Sequence, residues 1–492
     1  MFLIDWIARL VGSIRDRYLQ TWGRSSSNIE QDASLSTTQA ELNCSHQPAI
    51  RVTNLQFSDG KEISIGNTDV VVFVGPNNAG KSQALRDIQR QLSDNLSGIV
   101  VSNAKFEYFG SAEELENYVQ QHSVLDISDA DPYYKGYNFS LPAEWLTEGW
   151  LRHSSIFASM FCMEMSTQTR LQSSDPVRAI ASLNKAVEHP IQMLYQDDSL
   201  EARISAYFFR AFGAHLIVHR LGGSEIPLLV GQPMEPEDGE DRLSISYIDR
   251  LLKTTVSLQE QGDGMRSFAS VILHLLAPIT PSILLLDEPE VFLHPPQARL
   301  LGEILAMERS NRAQLFVATH SADVLQGLLN VVDADHLRVI RIEREDDVNQ
   351  VKELDRNLAR EISKDPLMKY SSVLSGVFHK RVIICESDAD CMFYSSLLDI
   401  SSVHRGPFPD VLFIHANGKH RVAKQAGALV ALGVRVDVII DMDILQGEDD
   451  LRKLFDALGG NWSDVMKKAS SVRKVIQGRR VRDAGAISKK NQ

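Results

Sequence analysis

The residues best equipped for chemistry begin with Gly75-Pro76-Asn77-Asn78-Ala79-Gly80-Lys81-Ser82, which has the spacing Gly-x-x-x-x-Gly-Lys-Ser. Gly75 and Gly80 let the backbone turn tightly and aim successive N–H groups at one point, where an anion can sit. Lys81 can then reach the β- and γ-phosphates of a nucleotide such as ATP, and Ser82 can ligate Mg2+. A glycine-rich β-turn is the plainer alternative, but the strand and helix contexts on either side both fit. Further on, Asp287-Glu288 closes an apolar run. Asp287 suits a Mg2+ shell, and Glu288 suits polarising an attacking water. His320 follows another apolar run and is a candidate γ-phosphate contact; taken alone it reads as a surface or core histidine. Two more acidic groups, Glu386-Ser387-Asp388-Ala389-Asp390 and Asp441-Met442-Asp443, also end apolar runs. Close carboxylates repel, and divalent cations are the natural way to stabilise them.

These groups need strands that end together. Val71 to Val74 reads as a buried strand, and Ala84, Leu85 and Ile88 have helical spacing after the loop. Ser282 to Leu286 and Leu315 to Ala318 are further strands, delivering their polar residues at carboxyl ends, where ligands bind in parallel α/β sheets. Gln261-Gly262-Asp263-Gly264-Met265-Arg266-Ser267 opens an apolar helix, and Asp263 with Gly264 makes a plausible anion site there. An ordinary helix-opening turn explains that segment equally well. A second α/β unit begins at Arg381 to Cys385 and continues through Val411 to Ile414 and Val436 to Ile440. Surface acids on ordinary strands would explain each of its carboxylates, but less readily both groups in this order.

Between Ser82 and Asp287 lie about two hundred residues. Helical patterns over roughly 141–215, for example Glu144 to Met163 and Leu200 to His219, imply a helical insertion. The charge-rich stretch 341–370 reads as a solvated connection. At the amino end, residues 2–22 follow amphipathic helical spacing, with Asp5 and Arg9 interrupting the apolar stretch in a way that a signal peptide does not. A polar linker follows. The domain expectation is therefore 1–48 helix and linker, 49–345 nucleotide-binding domain, 346–375 connection, and 376–492 second α/β domain with a basic tail.

The 492 residues carry 51 Lys and Arg against 64 Asp and Glu, a net charge of −13, so any nucleic-acid surface must be local. The tail cations Lys467, Lys468, Arg473, Lys474, Arg479, Arg480, Arg482, Lys489 and Lys490 are such a surface, suited to phosphates, although basic tails are common. Cys44, Cys162, Cys385 and Cys391 lack zinc-ligand spacing and suit a reducing, cytoplasmic compartment. No apolar run approaches the roughly 18 residues of a membrane span.

Taken in order, the phosphate loop, Gln261 to Ser267, Asp287-Glu288-Pro289-Glu290 with Leu293-His294-Pro295, and Thr319-His320-Ser321 resemble an ABC-type ATPase of the SMC-like branch. They stand where that family has its Walker A, signature, Walker B with D-loop, and switch-histidine motifs. The signature segment departs from the usual Ser-Gly-Gly-Gln. The second unit resembles a TOPRIM domain, with Ser387 replacing the glycine of Glu-Gly-x-x-Asp and Asp441-Met442-Asp443 matching Asp-x-Asp. An ABC-type ATPase followed by TOPRIM resembles the overcoming-lysogenization-defect (OLD) nucleases. That resemblance implies an α/β fold, ATP with Mg2+ or Mn2+, and a homodimer or higher oligomer joined through ATPase heads. It implies metal-dependent cleavage of DNA, with RNA as the alternative, in anti-phage defence; Glu386 would bind metal or act as general base, Asp441 and Asp443 would hold the catalytic metal, and Asp390 is a further candidate ligand. It also implies a lysine after Asp443, for which Lys467, Lys468 and Lys474 are candidates. The competing function is a nucleotide-switched sensor or scaffold with an inactive TOPRIM domain, controlling a partner defence protein.

Overall fold

The computed structural model describes residues 47–475 except 128–130, 181–186, 280, 309–312, 334, 347, 356–363, 365–371 and 403–408. The amphipathic stretch 2–22, nearly all of the polar linker, part of the charged connection, and Arg479, Arg480, Arg482, Lys489 and Lys490 lie outside the described residues.

The strands that matter for the nucleotide site are Ala49–Phe57 (β1), Glu62–Ser64 (β2), Val70–Val74 (β3), Val101–Phe109 (β4), Cys162–Met165 (β5), Ile283–Asp287 (β6), Gln314–Ala318 (β7), Leu337–Glu345 (β8) and Val348–Glu353 (β9). All five residues of β3 are apolar and buried, as an interior strand covered on both faces requires. It lies inside a six-stranded sheet of order β9-β8-β3-β7-β6-β5, parallel except for the β8–β9 hairpin. A second, antiparallel layer has the order β2-β1-β4. Two buried polar side chains join the layers. Gln314 bonds both backbone groups of Val52, and Ser282 bonds both of Ile50. Each therefore satisfies main-chain groups that burial would otherwise strand.

Helices cover the parallel sheet: Lys81–Asp94 (α1), Thr167–Gln172 (α2), Asp198–Phe212 (α3), Asp263–Leu276 (α4), Pro295–Met307 (α5) and Ala322–Val331 (α6). The stretch 141–215 is less helical than its pattern suggests. Glu144 to Met163 breaks into short turns and ends in β5, which pairs in parallel with β6 and belongs to the core sheet. A short apolar run fits a helix or a buried strand equally, and only its pairing partner decides. Leu200 to His219 likewise splits. The helix stops at Phe212 because Gly213 takes a left-handed turn (φ 70°), and His215–Val218 is a strand.

A three-stranded parallel sheet forms the carboxyl-terminal unit: Arg381–Cys385 (β10), Val411–His415 (β11) and Arg435–Ile439 (β12), in the order β11-β10-β12. Its helices include Asp388–Ser402 (α7) and Lys419–Ala431 (α8). The solvated connection expected from Arg341 onward is corrected in two ways. β8 and β9 pair across 340–353 as part of the nucleotide sheet. Arg341 is only 3% exposed, and its guanidinium donates to the carbonyls of Val377, His379 and Gly433 in the second unit. One apolar core runs from Val339 through Val373 and Leu374 to Val382 and Leu429, so the two units are packed together.

Candidate functional site

The carboxyl ends of β3, β7, β6 and β5 lie along one edge of the nucleotide sheet, since all four strands run parallel in register. After β3 the backbone takes positive φ at Gly75 (139°), Asn78 (61°) and Gly80 (99°) before α1 begins at Lys81. Gly75 admits no side chain, because a Cβ there would stand 2.1 Å from the carbonyl oxygen of Ile342. Pro76, Asn77 and Ala79 complete the turn. Lys81 is 3% exposed and donates to the carbonyls of Gly75 and Pro76, each at 2.9 Å. Burial lowers its pKa to about 8, against the opposing pull of Glu288, Glu290 and Asp287.

Asp287 and Glu288 meet this loop from β6. The Ser82 hydroxyl faces the Asp287 carboxylate, whose Oδ1 is buried without a partner. Burial raises the Asp287 pKa, and the nearby Ser82 hydroxyl works against it. A hydroxyl beside an orphaned carboxylate oxygen fits Mg2+, which takes one or two protein oxygens and leaves the rest to water and phosphate. Glu288 Oε1 stands 3.0 Å from His320 Nε2. The hydrogen bond from His320 holds the Glu288 carboxyl below its usual range, helped by Lys81 and Arg170. Glu288 itself has φ 47°, unusual for a residue with a side chain.

Sequence reasoning passed over the groups that hold these residues. Glu290 accepts from the Thr319 hydroxyl and the His320 backbone N–H, both at 2.7 Å. It therefore fixes the turn that presents His320. Arg170 reaches the carbonyls of Asp287 and Glu288. Arg170 sits on α2, which follows β5, the strand hidden inside the supposed insertion. Asp263 and Gly264 are not gathered into this cluster. Asp263 pairs with Arg266, and Gly264 packs so closely that a Cβ would lie 2.5 Å from the carbonyl oxygen of Phe292.

The second sheet brings Glu386, Asn417-Gly418-Lys419 and Asp441 to its own carboxyl edge. Glu386 Oε2 accepts from the Asp441 N–H at 3.3 Å, and its carbonyl accepts from the Gly418 N–H at 3.2 Å. Lys419, at the start of α8, binds Asp443 Oδ2 at 2.5 Å, and this bond raises its pKa. Asp443 Oδ1 is buried without a partner. Asp390 is turned elsewhere: its Oδ2 accepts from the Ser387 N–H and hydroxyl, closing the first turn of α7. The four acids therefore do not form one cage. Among the described residues no three Asp, Glu, His or Cys converge as a ready-made metal site. The orphaned Asp443 oxygen and the neighbouring Glu386 and Asp441 still suit Mg2+ or Mn2+ completed by substrate phosphate. Lys467, Lys468 and Lys474, the lysines expected after Asp443, lie exposed on a helix and bond none of these acids; the lysine paired with Asp443 is Lys419.

Residues 171–325 match the family described as "AAA domain, putative AbiEii toxin, Type IV TA system", a span that includes α4, Asp287-Glu288 and His320. The chain is 22% identical to the Old nuclease of Escherichia phage P2 over 166 residues, 33% of this chain. The chain carries an ATPase domain of the AAA type, with a partial likeness to the Old nuclease. The match spans 28% of the Old nuclease's length. Among solved structures, the chain is similar to a Smc head bound to the C-winged helix domain of ScpA, with TM-score 0.38, 13% identity, and coverage of 63% of this chain and 100% of that one. It is also similar to the SMC head domain from Thermotoga maritima, with TM-score 0.33, 11% identity, and coverage of 63% and 98%. No helix among the described residues is long and apolar enough to cross a membrane.

Proposed function

We propose that this OLD-like ATPase is a nucleotide-controlled, metal-dependent DNA endonuclease. The observation that carries the proposal is the gathering of Glu386, Lys419, Asp441 and Asp443 at one edge of a sheet packed directly on the ATPase. In the nucleotide site, the loop N–H groups and Lys81 bind the phosphates, while Ser82 and Asp287 would hold Mg2+. Glu288, kept ionised by His320, orients the water that attacks the γ-phosphate. In the second site Glu386, Asp441 and Asp443 would hold Mg2+ or Mn2+, which supplies charge neutralisation at a phosphodiester. Lys419 adds a cation to an otherwise acidic edge and can pass from Asp443 to a substrate phosphate. The reading extends to head-to-head dimers, to the basic helix at Lys467, Lys468 and Lys474 as a phosphate contact, and to anti-phage defence.

A purified preparation incubated with DNA, Mn2+ and ATP tests the proposal. Cleavage should occur and be lost in Glu386→Gln. A second reading, a nucleotide-switched sensor with a silent carboxyl unit, is favoured by one observation: Asp443 is held by Lys419 and Asp390 by Ser387, leaving no three-acid group. Under that reading no cleavage occurs, and ATP binding changes only the association of the chain with a partner.

A further inference from the structure

Arg170 is the largest fully buried side chain among the described residues, with 0% exposure, and it lies on α2 just after the core strand β5. A guanidinium has five N–H donors in a fixed fork. Here five acceptors meet them. Nε donates to Ser267 Oγ at 3.0 Å, Nη1 to the carbonyls of Met165 (3.0 Å) and Asp287 (2.6 Å), and Nη2 to Thr167 Oγ1 (3.2 Å) and the Glu288 carbonyl (2.8 Å). No carboxylate bonds it. Its charge is balanced at longer range by Glu290, Asp287 and Glu288.

The two carbonyls from β6 belong to the peptide planes on either side of Glu288. Those planes define the backbone twist at Glu288, where φ is 47°, a conformation that costs roughly 1–3 kcal/mol for a residue with a side chain. Pinning both oxygens holds that twist and so aims the Glu288 carboxylate at His320. The third attachment, Ser267, is on α4. α4 is bolted to the end of α2 a second time: Arg266 donates to the Leu171 carbonyl (3.2 Å), Ser174 Oγ (3.3 Å) and Asp175 Oδ1 (3.0 Å). The first turn of α4 also presses on the Phe292 carbonyl through Gly264, a contact that tolerates no side chain. The opening of α4, the turn after β5 and the end of β6 thus form one hydrogen-bonded unit centred on Arg170.

We propose that Arg170 is a positioning residue for ATP hydrolysis, transmitting the seat of the α4 amino terminus to Glu288. It rests on the reading of Glu288 as the residue that orients the attacking water. Any contact that shifts the start of α4, from a second copy of the chain or from a nucleotide, reaches Glu288 through Ser267 and the Arg170 fork rather than through the phosphate loop. Arg170→Lys keeps the charge but loses the fork.

The test compares ATP affinity, KM and kcat in Arg170→Lys, Ser267→Ala, Glu288→Gln and the double variant Arg170→Lys/Glu288→Gln, each checked for folding by thermal melting. Arg170→Lys should lower kcat about tenfold or more, as expected for a misplaced catalytic group, with ATP affinity within about threefold of wild type. Ser267→Ala keeps the arginine and should lower kcat in the same direction by less, so the proposal stays testable if Arg170→Lys melts early. In the Glu288→Gln background, Arg170→Lys should cost no further activity, because it acts through the missing carboxylate. An unchanged kcat in both Arg170→Lys and Ser267→Ala overturns the proposal, as does a full additional loss in the double variant. Should Glu288→Gln itself hydrolyse ATP at the wild-type rate, the underlying reading of Glu288 fails instead.

Discussion

Lys419 and Asp443 form a 2.5 Å ion pair at the edge where the acids of the carboxyl-terminal sheet meet. The pair joins the start of α8 to the turn after β12. It leaves Asp443 with one oxygen neutralised and the other buried and unpartnered. A cation that enters this edge must share or replace Lys419. Removal of the lysine should therefore not weaken metal binding, yet it deprives a bound phosphodiester of a positive neighbour. Lys419→Met is expected to bind Mn2+ at least as tightly as wild type by calorimetry and to cleave DNA about tenfold or more slowly. Unchanged cleavage in Lys419→Met would remove the lysine from the site.

At the nucleotide edge, Lys81 and Glu288 should separate binding from turnover. Lys81→Ala removes the one ammonium buried against the loop carbonyls and should weaken ATP binding. Glu288→Gln keeps the shape and the hydrogen bond to His320 but cannot take a proton. It should bind ATP normally and hydrolyse it about a hundredfold more slowly. Equal hydrolysis by both variants and wild type would contradict the assignment.

Much of this edge was legible in the sequence because its parts are local. The phosphate loop, Asp287-Glu288 and His320 each follow a short apolar strand, and parallel strands bring their carboxyl ends together. What escaped notice was non-local. Arg170 sits in a polar stretch with no motif, and its importance comes from carbonyls more than a hundred residues away. β5 was read as helix because Cys162-Met163-Glu164-Met165 has no strand signature apart from its neighbour β6. Arg341 looked solvated because it stands in a run of charges; only the fold shows three carbonyls closing over it. Lys419 drew no expectation from the sequence, since nothing in one dimension places it beside Asp443.

Acid should loosen the packing under α4. His274 is buried, with Nδ1 against the Tyr137 hydroxyl, and burial lowers its pKa to about 3, with His189 adding to the effect. His189 accepts from the Ile191 N–H through Nδ1, and burial lowers its pKa to about 4. Both folded pKa values lie below the ordinary 6.5, so the unfolded chain binds more protons in acid. Their contribution is complete above about pH 6.5 and is lost as pH falls towards 4 and 3. At pH 5 the loss should be on the order of 2 kcal/mol for each histidine. Melting curves between pH 7 and pH 5 check this at about half-unit steps, and His274→Gln should flatten the slope. A stability that does not fall in this range would contradict it.

The join between the two units depends on Arg341. Replacing it with Met leaves the carbonyls of Val377, His379 and Gly433 without their donor. The expected cost is on the order of 3 kcal/mol, felt as faster hydrogen exchange in β10 and α8. Exchange unchanged in both elements would mean that the apolar core alone holds the units together.

On the proposed function, nucleotide chemistry on one sheet edge governs phosphodiester chemistry on the other. The most direct measurement follows DNA cleavage and ATP hydrolysis together, in Mn2+, for wild type, Asp441→Ala and Glu288→Gln. Asp441→Ala should lose cleavage and keep ATP hydrolysis, while Glu288→Gln should lose hydrolysis and cleave at a rate different from wild type. Cleavage that is absent from wild type, or indifferent to Asp441 and to Glu288, would contradict it.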